Sequence, residues 1–78
     1  MNEISRLRWQ CRRGLKELDV LLECYLHEHF STAPAAERQA FAELLCLPDP
    51  VLLSYIMGRE QPDNQEQRRV IASLRRTP

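Results

Sequence analysis

The helical period is clearest in residues 4–26, which read ISRLRWQCRRGLKELDVLLECYL. In the first part, Ile4, Leu7 and Cys11 recur at helical spacing and share one side of a helix. The second part repeats the pattern with a larger apolar face, formed by Leu18, Leu21, Leu22, Tyr25 and Leu26. Gly14 stands between the two parts, and glycine takes the left-handed conformation of a helix end at little cost. The stretch therefore predicts helices at about 3–12 and 16–29, with a stop at Gly14.

Three proline-containing breaks divide the rest of the chain, at residues 31–34, 47–50 and 59–62. Because proline is not tolerated in a helix interior, the breaks predict three more helices, at about 35–46, 50–57 and 64–75. Asp49 is expected to be the N-cap of the fourth helix. Asp63 and Glu66 have the spacing of a capping box for the fifth.

The length of the chain, 78 residues, leaves room for one domain, which we place at 1–78. No run of alternating β-branched residues predicts a strand. The expected fold class is therefore all-α, a compact bundle of five short helices. We expect a monomer, although a dimer through Trp9 or through a swapped helix stays open.

The cysteines and the apolar runs bear on the compartment. The chain has three cysteines and no Cys-x-x-Cys pair, which argues against a disulfide framework or a zinc knuckle. The longest apolar runs are far shorter than a membrane span needs, and no secretory signal is visible. We expect a cytoplasmic protein with reduced thiols and no membrane insertion.

The charge is zero overall but unevenly distributed. Residues 1–17 carry a balance of +3, residues 18–49 of −5, and residues 50–78 of +2. A nucleic-acid-binding domain usually carries a strong basic excess, which this chain lacks. The asymmetry favours a surface that binds another protein.

Enzyme and metal signatures are missing from the sequence. The two glycines are too far apart for a phosphate-binding loop. His27 and His29 are two residues apart, so a helix points them to different sides, whereas helical zinc sites place histidines four apart. Cys24 lies one helical turn from His27, but no third catalytic group accompanies them. We predict no catalytic residue and no metal site.

The first predicted helix places Trp9 nearly opposite its apolar stripe. Arg6, Gln10 and Arg13 share its side, and Arg8 and Arg12 flank it. Tryptophan ringed by arginine is typical of binding hot spots. The alternative, which the sequence leaves open with even weight, is that Trp9 packs against a neighbouring helix.

The turn Arg13-Gly14-x-x-Glu17 combines a cation, a glycine and a carboxylate. Glycine lets a bulky group or a partner's backbone approach closely. The same residues are also common helix punctuation: a glycine cap, a solvated arginine and an acidic first turn that includes Asp19. By physical criteria alone, punctuation is the better interpretation.

The segment Trp9-x-Cys11-Arg12-Arg13-Gly14-Leu15-Lys16-Glu17-Leu18-Asp19 resembles the signature of the SdhE-type succinate dehydrogenase assembly factors, also called FAD assembly or flavinylation factors. A second resembling block is Phe41 to Leu45, followed by Asp49-Pro50-x-Leu52-x-x-Tyr55-Ile56-Met57-Gly58. Tyr55 departs from the family, whose members commonly carry tryptophan there. The threonine-alanine-proline entry to the third helix also differs from the usual serine-acid start.

The resemblance implies a five-helix fold and a helper that promotes covalent attachment of FAD to a client. The client would be the flavoprotein subunit of succinate dehydrogenase or of fumarate reductase, with the bond formed to a client histidine. FAD would be handled on the client and not bound stably by this chain. The partner-binding residues implied by the motif and its surroundings are Arg13, Gly14, Glu17, Arg12, Asp19, Arg8 and Trp9.

The expected roles follow from the residue types. Arg13 would pair with a client carboxylate or carbonyl, Gly14 would permit close approach, and Glu17 would accept hydrogen bonds. Two alternatives stay open. One is direct binding of free FAD. The other is a small antitoxin-like helical module that binds protein or nucleic acid and has no flavoenzyme client.

Overall fold

The computed structural model describes residues 3–76, which form five α-helices and one short 3-10 helix. Their bounds are α1 (Glu3–Gln10), α2 (Lys16–Glu28), the 3-10 helix (Phe30–Thr32), α3 (Ala35–Leu44), α4 (Asp49–Ile56) and α5 (Gln65–Arg76). The all-α class and the order of five helices are confirmed. Within residues 3–76, no helix is both long enough and apolar enough to cross a membrane.

The core is centred on α5, which packs against α2, α3 and α4. Its apolar face, Val70, Ile71 and Leu74, is buried. Burial of such faces is the main force that holds a small helical bundle together. The other buried side chains come mostly from the faces that the sequence pattern indicated, among them Leu7, Cys11, Leu18, Leu22, Tyr25, Leu26, Phe41, Leu44 and Leu52.

The end of α4 follows the predicted glycine stop. Gly58 has a φ of 80°, in the left-handed region that favours glycine. Its N–H donates to the carbonyl of Tyr55 at 3.1 Å, and the N–H of Arg59 donates to the carbonyl of Ser54 at 2.9 Å. These two bonds form a Schellman motif, which satisfies carbonyls that the helix leaves free.

Both capping predictions based on aspartate are wrong. α4 begins at Asp49 itself, after Pro48, and no side chain caps its first turn. At α5, the amide N–H of Gln67 donates to Oδ1 of Asn64 at 3.0 Å, so the cap is Asn64 and not Asp63. In each case the observed N-cap lies one residue from the predicted one, at Pro48 for α4 and at Asn64 for α5. Helix ends commonly differ by one residue from an assignment made by pattern.

The cysteines remain free thiols: Cys11 is buried, Cys24 half-buried and Cys46 exposed. Burial raises the pKa of the Cys11 thiol to about 12, and the Glu23 carboxylate adds to the rise. A thiol in this state is protonated at neutral pH and is a poor nucleophile. No group of three or more histidine, cysteine, aspartate or glutamate side chains within residues 3–76 is arranged to hold a metal ion.

Candidate functional site

The loop between α1 and α2 is held by a carboxylate that follows it in sequence. Asp19 lies in the first turn of α2, and its Oδ1 accepts the backbone N–H of Arg13 at 2.8 Å. Its Oδ2 accepts the backbone N–H of Gly14 at 3.3 Å. The sequence predicted Asp19 as a favourable charge at the helix start; the structure adds that it fixes the backbone of the loop.

The Arg13 side chain points inwards and joins two turns. Its Nη1 donates to the carbonyl of Leu47 at 2.6 Å and to Oδ1 of Asp49 at 3.0 Å, and its Nη2 donates to the carbonyl of Leu45. All three acceptors belong to the α3–α4 connection or to the first residue of α4. We call this arrangement the Arg13 clamp. With 12% of its side chain exposed, Arg13 is largely withdrawn from solvent.

Two expectations for Arg13 are corrected by this geometry. α1 ends at Gln10, two residues earlier than predicted, so Arg13 lies beyond the helix and does not share a face with Trp9. Its guanidinium is also engaged within the chain and is not displayed for a client carboxylate or carbonyl. A guanidinium group is suited to joining two turns of the chain because it offers several donors in a rigid plane.

Gly14 has the conformation that the sequence predicted but a different place in the turn. Its φ is 82°, in the left-handed region. It lies four residues beyond the end of α1, so it shapes the loop and does not cap the helix. A Cβ built on Gly14 would meet no atom within 4 Å. The position is therefore open to the outside, and a larger residue would project from the surface.

Two shallow depressions adjoin each other through Lys16 and Val20, and Gly14 lines one of them. We call their combined lining the Gly14 surface: Arg12, Gly14, Lys16, Glu17, Asp19, Val20, Leu21 and Glu23. The Glu17 side chain is exposed and has no hydrogen-bond or ion-pair partner among residues 3–76. This surface therefore offers a free carboxylate, a basic side chain and an open glycine side by side.

Val20 and Lys16 are members of this surface that the site prediction missed. Val20 is 52% exposed. Its position was readable, because at 100° per residue Val20 falls outside the stripe of Leu18, Leu22 and Tyr25. An apolar residue on the solvent side of an amphipathic helix is a usable signal for a contact surface, although a single one is common.

Trp9 lies in the last turn of α1 with 71% of its surface exposed, so the alternative in which it packs on a neighbouring helix is wrong. Arg8 is also exposed. The side chain of Arg12 is 67% exposed and approaches Glu23 at 4.0 Å, a weak surface pair. The structure thus leaves Trp9, Arg8 and Arg12 accessible, as the prediction of an exposed anchor requires.

Comparison with known proteins supplies the family context. Residues 5–78 match the family model described as the flavinator of succinate dehydrogenase. The chain is 37% identical over 70 residues to the FAD assembly factor SdhE of Coxiella burnetii, covering 90% of this chain and 85% of that protein. It is 40% identical over 75 residues to the FAD assembly factor SdhE of Methylococcus capsulatus, covering 96% and 90%. A third relative of the same name, from Psychrobacter arcticus, is 46% identical over 63 residues, covering 81% and 68%.

Proposed function

Because the chain belongs to the family of flavinators of succinate dehydrogenase, we propose that it binds the flavoprotein subunit of that enzyme and promotes covalent attachment of FAD to it. The flavoprotein subunit of fumarate reductase is a second client. The chain acts in the cytoplasm as a monomeric assembly factor, not as an enzyme. The observation that carries this proposal is the open Gly14 beside the unpaired Glu17, within a chain that matches the family from residue 5 to residue 78.

The residues of the motif divide into two groups. Arg13 and Asp19 are positioning residues, because their side chains bind the chain's own backbone and Asp49. Gly14 and Glu17 are contact residues, because they face outwards from the loop thus fixed. Asp19 and Arg13 thus hold the loop in one shape before the client binds. A preformed loop lowers the entropy cost of binding.

Each contact residue has a distinct part in recognition. The missing Cβ of Gly14 lets client backbone approach the loop. The Glu17 carboxylate accepts hydrogen bonds from client N–H groups, and bonds with an ionised acceptor are the stronger kind. Val20 adds apolar area, and Trp9 provides the large side chain typical of binding hot spots.

The helper acts on the attachment step by orientation. The flavin and the client histidine carry the chemistry, and this chain holds the client so that the two reacting groups meet. Such positioning accounts for about 7–11 kcal/mol of barrier in the best intramolecular cases, and a helper needs only a part of that. No side chain of the helper has to enter the reaction, which fits the protonated, buried state of Cys11.

FAD itself stays on the client in this proposal. The chain has two glycines, Gly14 and Gly58, and no glycine-rich phosphate cradle in its sequence. If the chain bound free FAD instead, adding purified protein to FAD would change the flavin fluorescence without a client. We expect no such change at micromolar protein.

The test is flavinylation of the client with a matched pair of variants. Glu17→Gln removes the proposed contact, and Glu28→Gln removes another exposed carboxylate from the same helix. Both proteins should fold, because a single helix-end charge contributes less than about 1 kcal/mol. In-gel fluorescence of covalent FAD on the client should fall towards the level without helper for Glu17→Gln and stay normal for Glu28→Gln. Normal fluorescence with both variants would remove Glu17 from the mechanism.

A further inference from the structure

A cavity of about 160 Å³ lies between the end of α4, the connection that follows it and one side of α5. Its lining includes the buried side chains of Pro62 and Ile71. The Arg13 clamp binds the other end of α4, at Asp49, about 10 Å away along the helix. The cavity is therefore separate from the Arg13 clamp, and none of its lining residues belongs to the Gly14 surface.

One arginine of the cavity is anchored by the connection itself. Nη1 of Arg68 donates to the carbonyl of Pro62 at 2.9 Å and to the carbonyl of Asp63 at 2.8 Å. Both bonds are made by this one nitrogen, and they hold the guanidinium group in place. Its second terminal nitrogen has no acceptor among residues 3–76 and remains for a ligand.

A second arginine is positioned by packing against a glycine. A Cβ added to Gly58 would lie 3.3 Å from Nη2 and 3.5 Å from Cζ of Arg75. The absence of a side chain at Gly58 thus gives the flat guanidinium room beside the end of α4. No carboxylate or carbonyl within residues 3–76 pairs with Arg75. The side chain is therefore placed at the cavity with its donors unused.

The chemistry of the lining selects a carboxylate. The lining contains two basic residues, Arg68 and Arg75, and one acidic residue, Glu60, so its net charge is positive. Guanidinium groups bind carboxylates through two parallel hydrogen bonds. Tyr55 and Ile71 add an apolar part, which suits the methylene groups of a side chain better than a bare inorganic ion. The volume holds about one amino-acid side chain.

We propose that this cavity binds a glutamate or aspartate side chain from an acidic segment of the client, as a second contact remote from the Gly14 surface. The identity of the client rests on the proposed function; the preference for a peptide carboxylate rests on Arg68, Arg75 and the apolar lining alone. Two separated contacts bind a client more tightly than one, since the second contact forms at a high effective concentration.

The preference for a carboxylate is tested by adding acetylated and amidated tripeptides to the isotope-labelled chain and following its NMR signals. Acetyl-Ala-Glu-Ala-amide should give saturable NMR shifts of the Gly58 amide and of the Arg75 Nε–H signal. Acetyl-Ala-Gln-Ala-amide should give none, and Arg75→Gln should abolish the response. Arg76→Gln is the matched control, because it removes the same charge from the same turn of α5 but Arg76 does not line the cavity. Absence of saturation, or equal shifts from inorganic phosphate, would overturn the proposal.

The role towards the client is tested by its affinity for the same two variants. Arg75→Gln should weaken binding of the flavoprotein subunit by about tenfold, the effect expected for loss of a charged hydrogen-bond pair, and Arg76→Gln by much less. Equal affinities for both variants would overturn the second contact and leave the proposed function intact. If the wild-type chain failed to bind the flavoprotein subunit, the proposed function would fall, while the peptide titration would still decide the cavity.

Discussion

Replacing Arg13 with alanine should destabilise the fold far more than replacing its exposed neighbour Arg12. The substitution removes the hydrogen bonds to Leu45, Leu47 and Asp49. A bond to a charged group contributes about 1.5–3 kcal/mol, but bonds within one network are not additive and water will reach the freed carbonyls. We expect a loss of about 3 kcal/mol. A chain of this length has a total stability of roughly 4–12 kcal/mol, so the loss is a large share.

The assay is urea unfolding followed by circular dichroism at 25 °C, supported by thermal unfolding. A loss of about 3 kcal/mol corresponds to a fall in Tm of roughly 12–24 °C in a domain of this size. Arg12→Ala is the control, since Arg12 is adjacent, mostly exposed and holds only the 4.0 Å contact to Glu23. Its effect should stay below about 0.5 kcal/mol.

Equal stability of Arg13→Ala and Arg12→Ala would mean that the Arg13 clamp does not stabilise the fold. A double-mutant cycle with Asp49→Ala gives a second check on the same clamp. Arg13 and Asp49 lie 3.0 Å apart with exposed side-chain fractions of 12% and 33%. They should show a coupling of about 1 kcal/mol or more, whereas additive effects would mean that the pair contributes nothing.

Two further predictions concern Gly14 and the buried titratable groups. Gly14→Ala and Gly14→Arg should each cost about 1 kcal/mol in urea unfolding, because both force a side chain into φ 82°. In a pull-down, Gly14→Ala should weaken client binding and the larger Gly14→Arg should abolish it; wild-type binding by both variants would mean that close approach at Gly14 is unimportant. Stability should fall as the pH rises from about 9 towards 12, because burial raises the pKa of both Cys11 and Tyr25 to about 12, whereas the unfolded groups lose their protons near 9.0 and 10.0. The fall should be smaller in Cys11→Ala, and a urea midpoint that stayed level up to pH 11 would contradict it.

The core faces were predictable because they depend on spacing within one helix. The stripe of Val70, Ile71 and Leu74 needs only the helical period, and the structure buries all three. Gly58 was predictable for a similar reason, since a glycine after an apolar helix is a local signal for a left-handed stop.

The Arg13 clamp was not predictable from the sequence because it joins distant positions. Arg13 and Asp49 are 36 residues apart, and both have ordinary local explanations, as a solvated arginine and as an N-cap. Asp19 was placed correctly at the helix start, but its bonds to the preceding loop depend on how that loop folds back. The exposure of Trp9 likewise depends on where the other helices lie, not on its own helix.

The most direct measurement is reconstitution of flavinylation from purified parts. The unflavinylated flavoprotein subunit of succinate dehydrogenase is mixed with FAD, with or without this chain, and covalent FAD is followed by in-gel fluorescence and by the mass of the client. We predict that the wild-type chain raises the yield of covalent FAD and that Glu17→Gln does not, while Glu28→Gln behaves as wild type. An equal yield with and without the chain would contradict the proposed function.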